Sequence, residues 1–67
     1  MLSPAEIARQ IQYVYRPGWL VWYGRKCGQY WALALWTRGA IGMIGAATPD
    51  ELEALIVTFE TLHPKPI

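Results

Sequence analysis

The chain has 67 residues, 54% of them hydrophobic, with a single cysteine and a formal net charge of +1. This is one small domain, residues 1–67, too short for a large core. Cys27 cannot close an internal disulfide, and Cys27 and His63 are too far apart in sequence to form a metal-ligand pattern, so no metal or cofactor is expected. Oligomerisation is then the remaining staple for so small a fold, and a lone thiol suits a reducing, cytoplasmic setting. Ser3-Pro4-Ala5-Glu6 is unlike the basic and apolar regions of a secretion signal. Arg38 interrupts the apolar run from Tyr30 to Ala47, so no membrane partner is expected.

The first element is a helix over about 4–15, with Ser3 as N-cap, Pro4 at N1 and Glu6 completing a capping box. Leu2 and Ile7 are placed for a hydrophobic staple, and Ile7, Ile11 and Val14 form its apolar stripe. Pro17-Gly18 ends the helix and holds Arg16 extended. Three strands follow, over about 19–25, 29–37 and 40–46, joined by turns at Gly24–Gly28 and Arg38-Gly39. A second helix over about 49–62 repeats the start signal: Thr48 caps, Pro49 is N1 and Glu51 is N3. Leu52, Leu55, Ile56, Phe59 and Leu62 are its apolar face. Pro64 stops it, His63 supports the dipole in its last turn, and 65–67 form a loose tail.

The expected fold is therefore α+β, in the order α-β-β-β-α, a three-stranded antiparallel meander with the two helices packed on one face. The strands Trp19–Tyr23 and Tyr30–Trp36 do not alternate apolar with polar, so the sheet needs cover on both sides. A two-residue loop at Lys26-Cys27 pairs Trp22 with Trp31 and Leu20 with Leu33. A second such loop at Arg38-Gly39 pairs Leu33 with Ile44. One face then holds Leu20, Trp22, Trp31, Leu33, Leu35, Ile44 and Ala46. The other holds Trp19, Val21, Tyr23, Tyr30, Ala32, Ala34, Trp36, Ile41 and Met43. The Leu-rich face reads as the helix-packing core. The open interface is then Trp19, Val21, Tyr23, Tyr30, Trp36, Ile41 and Met43, buried in a homodimer of stacked sheets. One helix on each face would instead give a three-layer monomer.

No catalytic constellation is visible, and an enzyme is not expected. Cys27 and His63 lack an oxyanion motif beside them, although Arg25 and Lys26 would favour a reactive thiolate. Glu6, Asp50 and Glu51 are accounted for by capping, and the glycines lack a phosphate-loop fingerprint. The functional expectation is a non-enzymatic interaction module, homodimeric through its aromatic sheet face, with its basic turn and acidic second helix left for a second protein partner. The alternative is a nucleic-acid-binding regulator. Its rings Trp19, Tyr23, Tyr30 and Trp36 would stack bases, while Arg16, Arg25, Lys26 and Arg38 would meet phosphates.

The order and length resemble the double-stranded RNA-binding domain, a resemblance that covers the whole chain as topology. That family uses a lysine-rich start to its second helix, where this chain reads Thr48-Pro49-Asp50-Glu51-Leu52. The resemblance therefore implies a fold and carries no RNA-binding residue over. Pro17-Gly18-Trp19 with Trp22, Trp31 and Trp36, followed by Ala46–Leu52, resembles short proteins of actinobacteria and their mobile elements. That resemblance implies a setting and no activity.

Overall fold

A computed structural model describes residues 1–65, leaving aside the side chains of 39 and 40. Helix α1 (Pro4–Tyr15) leads into strands β1 (Trp19–Gly24) and β2 (Gln29–Ala34). A 3-10 turn (Gly39–Gly42), strand β3 (Met43–Ala46) and helix α2 (Pro49–Leu62) follow. The sheet is antiparallel in the order β1-β2-β3, and both helices pack on one of its faces. Pro66 and Ile67 of the expected loose tail lie outside the described residues.

Both helices begin where their caps dictate. The Glu6 N–H donates to Ser3 Oγ at 3.2 Å and the Ser3 N–H returns a bond to Glu6 Oε1 at 3.2 Å. The Ser3 N–H first, and its hydroxyl second, hold the Glu6 carboxyl below the usual carboxylate range, because hydrogen bonds to the carboxylate favour its charged form. In α2 the Glu51 N–H donates to Thr48 Oγ1 at 3.2 Å. The buried stripes are narrower than the apolar periodicity suggested. Ala8 and Ile11 are buried in α1 and Leu52, Ile56 and Phe59 in α2, while Val14, Leu55 and Leu62 are exposed.

The first hairpin has the expected register, with Trp22 opposite Trp31 and Leu20 opposite Leu33. The second slips by one residue: Leu33 faces Met43, and Ile44 faces Ala32. The cause lies at Gly42. A Cβ there would collide with Thr37 Oγ1 and come within 2.9 Å of the Ala34 Cβ. The chain is pressed against the end of β2, and it covers 39–42 as a 3-10 turn before β3 begins. A one-residue slip exchanges the faces of every later side chain. Ile44 therefore joins the Trp19 side and Met43 the Leu20 side.

The helices cover the face opposite to the one expected. Beneath them lie Trp19, Val21, Tyr30, Ala32, Ala34 and Ala46, all buried, with Tyr23, Ile44 and Trp36 packed at the margins. The alanines decide this. Small side chains in the middle of a sheet face let helix side chains interdigitate close to the strands. Trp19 then fills the end of the cavity, fully buried. Its ring is set edge-on to Trp36 at 5.2 Å and to Phe59 at 5.5 Å, geometries that the ring quadrupoles favour. Its indole N–H donates to Glu60 Oε2 at 2.9 Å, and Lys65 pairs with the same oxygen at 3.0 Å.

One side chain closes an edge of the sheet. Gln12 Nε2 donates to the Trp19 carbonyl at 2.7 Å, and the Val21 N–H donates to Gln12 Oε1 at 2.6 Å. These are groups that β1 turns away from β2, because ladder bonds alternate sides along a strand. The carboxamide thus stands in for one residue of a missing fourth strand. Gln12→Ala is expected to cost about 1–3 kcal/mol, the penalty for stranding two partly buried backbone groups. A thermal melt would read this as a drop of roughly 5–20 °C; an unchanged midpoint would mean that water replaces the amide without loss.

Candidate interaction face

The face left without helices is built from alternate residues of the three strands. β1 contributes Leu20 and Trp22. β2 contributes Gln29, Trp31 and Leu33, with Leu35 just beyond its end. β3 contributes Met43 and Gly45. No charged side chain belongs to it. Leu20, Leu35 and Met43 are each about half exposed, at 48%, 55% and 43%, and Trp22, Trp31 and Leu33 are partly covered by one another and by the strands.

Trp31 sits at the centre, and its posture is set by two glycines. A Cβ on Gly24 would lie 2.8 Å from Trp31 Nε1, and one on Gly45 would lie 2.7 Å from its Cζ3. Both are closer than real Cβ atoms come to other heavy atoms. Gly24 belongs to the strand on one side and Gly45 to the strand on the other, so the indole lies flat across the sheet. Its pyrrole edge rests over β1 and its benzene edge over β3. With a side chain at either glycine the ring would have to stand up. The result is a smooth aromatic plate one ring thick.

The residues expected to form the interface are distributed differently. Trp19, Val21 and Tyr30 are buried under the helices. Tyr23 packs against Tyr30 with ring centres 4.9 Å apart, on the covered side. Trp36 closes the end of the core. Its N–H donates to the His63 carbonyl at 3.0 Å and its ring meets Trp19 and Phe59. Ile41 is exposed within the 3-10 turn. Met43 alone of the set lies on the open face. The same burial withdraws Trp19 and Tyr30 as base-stacking rings.

The four cations do not form one cluster. Arg25 and Lys26 occupy the β1–β2 turn, beside the exposed Cys27. Arg38 follows β2 at the opposite end of the sheet. Arg16 belongs to the helix layer, its guanidinium 3.9 Å above the ring of Tyr13. Elsewhere the titratable groups serve the fold. The Tyr15 hydroxyl donates to Glu53 Oε1 at 3.4 Å, tying α1 to α2. Burial pushes the Tyr15 phenol up, and the Glu53 carboxylate adds to the shift. His63 stacks on Phe59 at 4.4 Å and its backbone N–H caps α2 through the Phe59 carbonyl.

No protein-family model matches this chain, and no curated protein or solved structure matches it. Among the described residues, no three His, Cys, Asp or Glu side chains converge to hold a metal ion. No helix among them is long and apolar enough to cross a membrane. The face left bare by the helices is the one that sequence reasoning assigned to the core. The pattern that marks it is legible in hindsight. Glycines flank Trp31 on both neighbouring strands, while the other face carries alanines at 32, 34 and 46.

Proposed function

We propose that this chain is a small non-enzymatic interaction module that pairs with a second copy of itself, open face to open face. The observation that carries this is a sheet face with no charged residue, centred on the flat Trp31 indole and uncovered by the chain's own helices. Six apolar side chains serve as its anchors: Leu20, Trp22, Trp31, Leu33, Leu35 and Met43. Two such sheets would stack at the usual spacing of about 10 Å with helices outside. A two-fold axis would set the same patch against itself. Closure of the β1 edge by Gln12 favours this route over strand addition on that side. The acidic outer surface of α2 stays free for a second protein partner, in a reducing cytoplasmic setting that suits the single thiol.

Magnitudes make this pairing a modest one. The exposed apolar area is on the order of 400 Å² per copy, about half that of a standard interface. Burying it on both copies is worth roughly 20 kcal/mol at 25 cal/mol per Å². Association costs remove most of that, about 4–15 kcal/mol for lost rigid-body freedom plus side-chain ordering. A dissociation constant on the order of 10 µM corresponds to a net gain of about 7 kcal/mol, inside the wide range these opposing terms leave for a small, weak interface. Sedimentation across a concentration series should show monomer giving way to dimer around that value. The dimer should tighten as salt rises, since its contact is dry and its rim carries like charges. A strictly monomeric chain at millimolar concentration would remove this reading.

A further inference from the structure

The carboxylates of this chain are confined to one layer, which also holds Arg9, Arg16 and Lys65. All five acidic residues belong to the helix layer, Glu6 in α1 and Asp50, Glu51, Glu53 and Glu60 in α2. The sheet layer carries cations only, namely Arg25, Lys26 and Arg38, all exposed in its loops. Among the described residues one ion pair forms, Lys65 with Glu60, and none of the three sheet-layer cations has a carboxylate partner. The sheet layer, which bears the open face, is therefore positive at both ends of its strands.

Stacking two copies brings two such layers together. Six cations then surround one contact with no carboxylate on either sheet layer to offset them. Within each copy they stand at opposite ends of the strands. At about 3.3 Å per residue that separation is roughly 25 Å. No single small anion spans it, but a polymer with charge at regular short intervals does. Four of the six groups would be arginines, whose planar forks match phosphate oxygens in pairs.

We infer that the dimer binds the phosphate backbone of a nucleic acid along this basic rim, without reading its sequence. The inference rests on the self-pairing proposed above, because the dimer doubles from three to six the cations that one backbone can meet. The backbone neutralises the like charges that pairing brings together and releases its own counterions on binding.

The test uses the full chain and a fluorescent DNA duplex of about two helical turns. Anisotropy is measured from about 50 to 200 mM salt, with sedimentation in the same buffers reporting the oligomer. Six phosphate contacts give a slope of log affinity against log salt of about −5, a loss of about 10³-fold across that range. Trp31→Glu, which leaves the cations in place but separates the copies, should retain three contacts, a slope near −2.7 and about a 40-fold loss. Arg25→Glu with Lys26→Glu and Arg38→Glu should abolish binding while the dimer persists. A dimer that ignores the duplex, or binds it with a slope unchanged by either variant, overturns the inference and leaves the self-pairing intact. Equal binding of poly-glutamate overturns it in favour of an acidic protein partner. Absence of the dimer at every concentration removes both.

Discussion

Trp31→Glu is expected to leave the chain monomeric at every concentration it can reach in solution. Trp31 is the centre of the open face, and its neighbours across the strands are Trp22 and Gly45. Replacing the plate with a carboxylate places two negative charges in the middle of a dry contact, one from each copy. An uncompensated buried charge costs several kcal/mol, which moves a 10 µM dissociation constant beyond the millimolar range. The monomer should keep its fold, because the indole covers the outer side of the sheet while the core lies on the other. Circular dichroism checks that. Leu20→Glu is the companion variant: Leu20 is 48% exposed in the single chain, so its replacement spares the core and still charges the face. If both variants sediment as the parent does, the face is not where copies meet.

Trp19→Ala is expected to do the reverse, sparing the face and removing the fold. Trp19 is fully buried, touches Trp36 and Phe59 through its ring edges, and satisfies Glu60 with its indole N–H. Truncating such a side chain costs about 3–5 kcal/mol, because the cavity closes only in part. A chain of 67 residues has about 3–10 kcal/mol of stability in total. The variant should melt some 15–30 °C below the parent or lack a cooperative transition. The C-terminal segment should loosen as well, since Lys65 is held by the Glu60 carboxylate that Trp19 anchors. A melting point within a few degrees of the parent would show that the core does not depend on this ring.

What the sequence disclosed, and what it withheld, divides along physical lines. Ser3, Pro4 and Glu6, like Thr48 and Pro49, act through neighbours within four residues, so both helix starts were legible. The register of the first hairpin was also legible, although the loop that closes it spans four residues, 25–28, instead of two, with Gly28 at φ 64° and its N–H donating to the Gly24 carbonyl. The second hairpin was not. Its register depends on Gly42 lodging against Ala34 and Thr37, a contact that exists only once the chain has doubled back. The choice of covered face is harder still. Both faces are apolar, and a rule that assigns the richest face to the core selects Leu20, Trp22, Trp31 and Leu33. Packing follows fit instead of content. Ala32, Ala34 and Ala46 give the helices room to settle, and the large rings are left outside. The α+β order with both helices on one side was therefore readable, while the covered and open faces were exchanged.

The carboxamide of Gln12 has a consequence for how this molecule behaves when crowded. A bare strand flank is a template on which other polypeptides can lengthen a ribbon without limit. Here one flank is partly occupied from within the chain, at Trp19 and Val21, and the other offers a strand of only four residues, Met43–Ala46. If copies pair as proposed, these flanks favour a closed pair with a fixed headcount over filaments, even though more than half of the residues are greasy.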